Sequence, residues 1–209
     1  MGESVSYSRW EADLEANSGF PSMYQVTNME PLAFVHDENN DGGYGGAIAG
    51  MGMSDASNLV GFNNLVQYTS ANDYISASGY LQFEPIKDLV LKVQASRNMY
   101  YGSTRKFVPT YELGARKINE RASLYEERNK TVNDLLEFTA NWSKTIKDDH
   151  NIQLLFGLSQ EETKYELVSA GGKKFENNDM GLLGQAQEDF TVGGSETRSG
   201  LRSVFGRLN

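Results

Sequence analysis

The residues best suited to chemistry form one short run, Asp37-Glu38-Asn39-Asn40-Asp41-Gly42. The run matches the first half of an EF-hand loop, in which side-chain oxygens alternate along the chain and coordinate calcium. An EF-hand also needs a bidentate glutamate at its twelfth position, and this chain has Ile48 there. We therefore interpret the run as a polar turn. Should a hard cation bind, the oxygens of Asp37, Asn39 and Asp41 would be its ligands.

Three other groups resemble catalytic or ligand-binding motifs but lack a necessary part. The glycines of residues 42–52 follow neither the dinucleotide-binding pattern nor the P-loop pattern. The two histidines, His36 and His150, lie in polar turns without identifiable triad partners. Adjacent residues of a strand point to opposite faces, so neither Asp148-Asp149 nor Glu161-Glu162 makes an acid/base couple. The sequence predicts no catalytic residue, no cofactor site and no metal site, and therefore no enzyme.

The composition of the 209 residues argues against several classes of protein. A net charge of -9 and a pI of about 4.8 leave no excess of basic residues for binding phosphates, so nucleic acid is not an expected partner. The absence of cysteine excludes disulfides and cysteine-based metal sites. No run of apolar residues reaches the roughly 18 that a transmembrane helix needs. The 11 tyrosines, 10 phenylalanines and 21 glycines favour strands and loops.

Two long stretches, Asn133–Ser159 and Asp73–Ser96, alternate between apolar and polar side chains with the period of two that strands show. Each has two arms joined by a short polar turn, at Lys147–His150 and at Glu84–Asp88, and each predicts an antiparallel hairpin. The apolar face of the first arm after Asn133 consists of Leu136, Phe138, Ala140 and Trp142.

Long polar connections separate these hairpins, at Tyr101–Thr131 and Lys164–Arg198. Short turns on one side and long loops on the other are typical of transmembrane β-barrels, whose strands need about ten residues to cross. If both short turns lie on the same side of the membrane, the arm from Leu89 and the arm from Asn133 are consecutive crossings in opposite directions. A weak strand at Ile118–Glu127, which lies between them, therefore cannot cross the membrane as well. We expect it to extend above the membrane rim and to pair there with Thr131–Leu136.

The chain divides by pattern into two parts. Residues 1–71 show no sustained period and predict an irregular region with short helices at Tyr7–Ser18 and Leu59–Leu65. Residues 72–209 predict antiparallel strands that end in a strand after Ser199. The predicted fold class is all-β, an antiparallel meander of long hairpins that forms a segment of a transmembrane β-barrel.

Four segments occur in the order and spacing of one known family: Glu30–Phe34 (EPLAF), Tyr80–Leu89 (YLQFEPIKDL), Asp149–Gly157 (DHNIQLLFG) and Ser203–Asn209 (SVFGRLN). They resemble segments of SusC-type (SusC/RagA-like) TonB-dependent outer-membrane transporters. The likeness covers about residues 30–209, and Glu30 replaces the asparagine usual in the family. No plug domain and no TonB-contacting segment are recognisable, so the resemblance implies a middle part of the barrel.

The resemblance also implies a function for the complete protein. Members import nutrients, often oligosaccharides or peptides, through the outer membrane of Gram-negative bacteria, with a surface SusD-like lipoprotein and TonB as partners. We expect no independent activity from this part alone, contact with membrane lipid, and self-association of the isolated piece through its sheet edges.

The resemblance gives some aromatic residues candidate roles. Trp142, Tyr80, Tyr100 and Tyr101 are candidates for the aromatic girdles at the membrane interfaces, with ordinary packing across the sheet as the alternative. Tyr111, Tyr125 and Tyr165 lie in predicted loops and are candidates for stacking on sugars.

Two other architectures fit the same strands. In a soluble β-sandwich that binds a ligand, residues 1–70 would cover the apolar sheet face, since a soluble sheet must bury it. A small closed barrel would instead enclose an interior pocket. The barrel of a transporter predicts that the face of Leu136, Phe138, Ala140 and Trp142 contacts lipid and that the opposite face lines the lumen.

Overall fold

The computed structural model describes residues 1–14, 22–48, 50–53, 56–115, 117–146, 150–179 and 181–209. Six long strands form one sheet, in which each strand is antiparallel to its neighbour along the order β1-β2-β3-β6-β7-β8. These strands are β1 (Gly2–Asp13), β2 (Gln67–Ile86), β3 (Leu89–Val108), β6 (Ser123–Ile146), β7 (His150–Lys173) and β8 (Glu188–Leu208). The predicted all-β antiparallel meander is confirmed.

The five long strands after β1 are about twice as long as predicted, with 20 to 24 residues each. Most of each predicted long loop is strand, so the connections shrink to residues 109–122 and 174–187. The prediction was wrong there because both faces of these strand ends are polar, which removes the alternation that marks a strand.

The structure corrects the prediction for Ile118–Glu127. Only Ile118–Asn119 form a separate strand, β5, which pairs with β4 (Tyr111–Glu112). Ser123–Glu127 belong to β6 and lie opposite Thr104–Val108 of β3, so they do not fold back onto Thr131–Leu136.

The N-terminal prediction was wrong in part and right in part. Tyr7–Asp13 belong to a strand rather than a helix, because β1 pairs with residues 69–80 of β2 along its whole length. Residues 15–18 of that predicted helix lie outside the described part of the chain. The second predicted helix is confirmed as α2 (Leu59–Leu65), and a further helix, α1, spans Ser22–Asn28.

The turn between β2 and β3 lies where the sequence predicts it. Lys87-Asp88 connect the strands, and Asp88 adopts a φ of 71°, a left-handed conformation that aspartate tolerates in turns. The carboxylate of Glu84 accepts a hydrogen bond of 2.8 Å from the backbone N–H of Asp88. Of the second predicted turn, Lys147–His150, residues 147–149 lie outside the described part of the chain.

The buried hydrophobic clusters lie at the other end of the sheet, where the connections pack together into what we call the loop-end cap. One cluster surrounds Phe107 and Leu124, and the other joins Phe62 and Val66 to Leu113. The first cluster consists of Phe107, Ala122, Leu124, Phe175 and Ala186. No helix among the described residues has the length and apolar character needed to cross a membrane.

Asn58 joins three segments of the loop-end cap. Its side-chain oxygen accepts a hydrogen bond from the N–H of Gly61 and so caps the N-terminus of α2. Its Nδ2 donates to the carbonyl oxygens of Val35 at 2.7 Å and Gly45 at 3.1 Å. The side chain is almost fully buried, so these bonds replace water for three backbone groups.

A glycine in β7 receives an aromatic ring from β8. Gly157 lies directly opposite Phe205, and a Cβ added to Gly157 would lie 2.1 Å from the ring carbon Cζ. The ring therefore occupies the space that a side chain would fill, as aromatic residues opposite glycine do in designed sheets.

Replacing Gly157 by alanine should displace the Phe205 ring and cost about 1–3 kcal/mol in the free energy of unfolding. The matched control is Gly206→Ala in β8, where the added Cβ would lie 3.5 Å from its nearest neighbour, an ordinary contact. Urea unfolding of the whole protein measures both variants. Equal stability of the two variants would contradict this packing.

Candidate functional site

The register assigns every strand residue to one of two faces, because directly opposed residues of antiparallel strands point the same way. On one face, here called the outer face, three successive rows next to the β2–β3 turn are apolar. These rows form the apolar band and consist of Ile86, Leu89, Trp142, Leu154 and Leu208, then Phe83, Leu91, Ala140, Phe156 and Gly206, then Leu81, Val93, Phe138, Leu158 and Val204.

The apolar band is uncovered within the described part of the chain. Leu81 is 63% exposed, Phe83 58% and Val204 72%. The two buried clusters of described residues lie in the loop-end cap, at the opposite end of the strands. A continuous apolar surface of this kind marks a site of contact with a protein or with lipid.

Beyond the apolar band the same face carries ion pairs between neighbouring strands. Arg97 donates two hydrogen bonds to Asp134, from Nε to Oδ1 at 2.6 Å and from Nη2 to Oδ2 at 2.7 Å. Across β7 and β8, Nε and Nη2 of Arg198 both contact the single oxygen Oε1 of Glu162. We call this region the charge ladder.

The charge ladder continues further along the strands through Glu166, which lies between two lysines. Lys164 donates to its carboxylate, and Lys130 lies 3.8 Å away. The hydrogen bond from Lys164, followed by its charge, holds the pKa of Glu166 below its usual range, and the same bond raises the pKa of Lys164. Water and salt screen exposed pairs, so these ion pairs favour one strand register more than they stabilise the fold.

The boundary between band and ladder is oblique to the strands. The first charged residue beyond the band is Arg202 on β8 but Asp73 on β2, and the residue of β2 in register with Arg202 is Gly79. On β7, β6 and β3 the first charged residues, Glu162, Asp134 and Arg97, share one row, so the boundary is stepped. From β8 to β2 it advances six residues, about 20 Å, across four strand spacings, about 19 Å, an average angle of about 45°. β1 does not continue this slope, because its outer face carries Glu3, opposite Gly79, as well as Arg9, opposite Asp73.

The opposite face of the sheet is here called the inner face. It carries hydroxyl and amide groups at the strand positions where the charge ladder begins on the outer face. One row has Ser76 donating to Asn98 at 2.6 Å and Thr163 donating to Asn133 at 2.8 Å. The next row toward the loop-end cap consists of Ser8, Tyr74, Tyr100, Thr131, Tyr165 and Thr197. The inner face therefore carries uncharged hydrogen-bonding groups where the outer face is apolar or ionic.

The aromatic candidates divide between the two faces. Trp142 lies on the outer face near the turn end, and Tyr101 lies on the outer face beside the ladder residue Lys130. Tyr80 and Tyr100 lie on the inner face, so the four girdle candidates do not share one face of the sheet. Tyr7, which was predicted to lie in a helix, is on the outer face of β1, two residues before Arg9.

The predicted loop tyrosines were placed wrongly in two cases. Tyr125 and Tyr165 belong to β6 and β7, and Tyr165 lies on the inner face in register with Thr131. Tyr111 is in the loop-end cap, where its ring meets the edge of Phe62 with centroids 5.9 Å apart. Burial there raises the pKa of Tyr111.

The acidic run forms a closed polar turn. The Oδ1 atom of Asp37 accepts hydrogen bonds from the backbone N–H of Asn39 at 3.0 Å and from its side-chain amide at 2.9 Å. The described residues contain no group of three or more His, Cys, Asp or Glu side chains placed to hold a metal. Glu161 and Glu162 lie on opposite faces of β7, as the period of a strand requires.

The remaining candidates are a histidine in the cap and residues beside the second turn. His36 stacks on Tyr44 with ring centroids 5.2 Å apart. Asp148, Asp149 and the side chain of His150 lie outside the described part of the chain. Among the residues that the structure describes, none of those with catalytic potential come together, and the two sheet faces are the candidate functional surfaces.

The fold is similar to that of transporter chains of known structure. A structure of the RagAB peptide transporter matches with a TM-score of 0.66 and 22% identity over 72% of this chain and 17% of that chain. Structures of the RagAB peptide importer in the open-open and closed-closed states match with TM-scores of 0.68 each, at 21% and 20% identity. They cover 72% and 80% of this chain, and 17% and 19% of the importer chain.

These likenesses concern the fold, and this chain spans less than a fifth of the length of those transporter chains. No family model and no curated protein matches the sequence.

The ion pair at Glu166 makes a prediction for pH. Because its pKa is lowered in the folded protein, the stabilisation by Lys164 is present above the unfolded pKa of about 4.3 and disappears as the pH falls through the folded pKa. Replacing Lys164 by methionine should raise the titration midpoint of the Glu166 carboxyl, followed by carbon-13 NMR. The control is Lys144→Met, at an exposed lysine without an ion pair among the described residues, and an unchanged midpoint in Lys164→Met would exclude the interaction.

Proposed function

We propose that this chain is part of the β-barrel wall of a SusC/RagA-type, TonB-dependent receptor that imports a nutrient through the outer membrane. The observation that carries this proposal is the oblique boundary of the apolar band. Strands of transmembrane barrels tilt by about 35–45° from the membrane normal, so a horizontal membrane surface must cross them obliquely.

The height of the apolar band supports the same assignment. On β2 the outward-facing residues are apolar from Ile86 to Ile75. Eleven residue steps of about 3.4 Å, inclined by about 45°, give a height of about 26 Å, close to the roughly 25 Å apolar belt of outer-membrane barrels. The exposed leucines and phenylalanines of this band then contact lipid.

The two ends of the strands fit the two sides of an outer membrane. The short β2–β3 turn would lie on the periplasmic side, where barrel turns are short. The strands continue past the boundary, so the charge ladder and the loop-end cap would stand on the extracellular side. The inner face, with its hydroxyl and amide groups, would line the lumen.

The partners follow from the family rather than from the geometry. A surface SusD-like lipoprotein, TonB and an oligosaccharide or peptide nutrient are the partners that the sequence resemblance implies for the complete protein. The similar structures are described as a peptide transporter, which agrees with import in general. This chain would form part of the barrel wall, and it would not couple transport to an energy source.

The alternative, a soluble β-sandwich, needs a second layer over the apolar band. The described N-terminal residues do not provide one, because β1 extends the sheet at its edge and α2 packs in the loop-end cap. In the described sheet, β1 and β8 each pair on one side only. Neighbouring strands of a barrel would satisfy both edges, whereas an isolated piece should associate through them.

Spin labels at single cysteines test the proposal, since the chain has no cysteine of its own. In the complete protein reconstituted in bilayers, labels at Ile75 and Val204 should lie at equal depth, although six residues separate them in register. Labels at Gly79 and Arg202 share one row, yet Gly79 should lie about 14 Å deeper.

Collision rates with dissolved oxygen and a water-soluble nickel complex measure these depths. A label at Thr139 on the inner face is the control and should be reached by the nickel complex. Equal depth for Gly79 and Arg202, or a Thr139 label in lipid, would refute the orientation and with it the proposed barrel wall.

A further inference from the structure

A recess lies on the outer face where β7 and β8 leave the apolar band. Gly200 forms its floor, because glycine has no side chain to fill the space between two arginines of the same strand and face, Arg198 and Arg202. The recess has a volume of about 550 Å³. On the outer face its lining consists of Gln160, Glu162, Arg198, Gly200 and Arg202, and we call it the arginine recess.

The arginine recess carries a net positive charge on an acidic chain. Nε and Nη2 of Arg198 contact the carboxylate of Glu162, so the charges of these two side chains balance. Arg202 has neither an ion pair nor a hydrogen bond within the described part of the chain. One guanidinium on the outer face of the recess is therefore uncompensated, although the whole chain has a net charge of -9.

The charged side chains next to the recess, on its cap side, bind one another. Lys164, directly opposite Arg198, donates to Glu166 and lies 3.4 Å from Glu196. Lys130 lies 3.8 Å from Glu166. These two lysines and two glutamates balance, so they leave the positive charge of the recess in place.

The geometry of the recess suits a group held between its two arginines. Residues four apart on a strand have Cα atoms about 14 Å apart, a span that two arginine side chains can close from both ends. A guanidinium carries five N–H donors in a planar fork that matches a phosphate. Arg198 contacts Glu162 through two of its three nitrogens, and the exposed amide of Gln160, directly opposite Arg202, adds further donors.

Exposed apolar side chains adjoin the recess on the turn side. Val204 and Leu158 are directly opposed in the nearest row of the apolar band, and they are 72% and 41% exposed. Phe156 follows in the next row and is 46% exposed. A ligand at this place therefore meets an apolar surface and, next to it along the strands, an uncompensated cation.

One class of molecule has the matching groups in the same order. A phosphorylated lipid carries acyl chains that end at an anionic headgroup, and basic residues at the edge of a membrane protein's apolar surface attract such headgroups. We propose that the arginine recess binds the phosphate of an outer-leaflet lipid with a phosphorylated headgroup. Arg198 and Arg202 donate to the phosphate, and Val204 and Leu158 contact the acyl chains.

This inference rests on the proposed function, because the recess lies at the level of the headgroups only if the apolar band is in the membrane. It goes beyond lipid contact in general, since it assigns one class of headgroup to particular residues. A strand that joins β8 in a barrel pairs through backbone N–H and C=O groups and leaves the outer face of the recess open.

The test uses the complete protein that contains this chain, purified in detergent. Native mass spectrometry measures its binding of lipid A with two phosphates, of the same lipid without phosphates, and of inorganic phosphate. The phosphorylated lipid should bind about tenfold or more tightly than the phosphate-free lipid. Equal affinities for the two lipids would overturn the inference, and inorganic phosphate binding as tightly as the phosphorylated lipid would overturn the assignment to a lipid.

A loss of charge locates the site. The double variant Arg198→Gln/Arg202→Gln removes both guanidiniums and should lower the affinity for the phosphorylated lipid about tenfold or more. The matched control is Arg207→Gln, at an exposed arginine of the same strand on the inner face. Equal affinities of the double variant and the control would refute the assignment. If the double variant does not fold, Arg202→Gln replaces it, since Arg202 has no ion pair in the described sheet.

A change of shape tests the recess without removing charge. A Cβ added to Gly200 would lie 3.7 Å from its nearest neighbour, the carbonyl oxygen of Glu161, so a side chain is tolerated there. Gly200→Val fills the floor between the arginines and should weaken binding of the phosphorylated lipid roughly threefold or more. Unchanged binding would mean that the arginines attract phosphate only through general surface charge, and it would overturn the recess as a site.

A spin label at Phe138, in the apolar band of β6, separates this inference from the proposed function. In bilayers the label should be reached by oxygen and not by the nickel complex, in the wild type and in each variant. A Phe138 label outside the lipid would refute the barrel wall itself. A label in the lipid without any preference for the phosphorylated headgroup would refute only the arginine recess.

Discussion

Antiparallel pairing in one register is the constraint on which the other features depend. A shift by one residue would move every side chain of a strand to the opposite face. From β1 to β8 the register departs from regular pairing at two places, between Phe83 and Ile86 and between Gly171 and Lys173, and both lie at strand ends. The apolar band, the charge ladder and the hydroxyl and amide rows of the inner face are therefore three consequences of the same alignment.

The sequence predicted the structure where side-chain polarity alternates and failed where it does not. The arms around Phe138 and Leu81 contrast an apolar with a polar face, and their strands and short turn were predicted correctly. Beyond Arg97 and Asp134 both faces are polar, so the strand period has no hydrophobic signal although backbone pairing continues. β1 was missed for a related reason, since Ser4, Ser6 and Ser8 alternate with a mixture of Val5, Tyr7 and Arg9.

The candidate site was even less accessible to sequence analysis. Neither Asn98 nor Asn133 belongs to a motif, and they become neighbours only through the pairing of β3 with β6. The same holds for Tyr74, Tyr100 and Tyr165, which are distant in sequence and adjacent in one row. Spacing along the chain can place a residue on a face, but the partner across the sheet depends on connection lengths, which were predicted incorrectly. The motifs that sequence analysis did find, such as the Asp37 turn, belong to the loop-end cap.

The oblique boundary also sets a rule for the strands that would complete the barrel. Because the limit of the apolar surface descends toward the turn end from β2 to β8, a strand joining the free edge of β8 should become charged at or before the position facing Arg202. The slope thus gives the offset expected between β8 and the strand beside it, so flanking sequence can be aligned to that edge before any of its contacts are known.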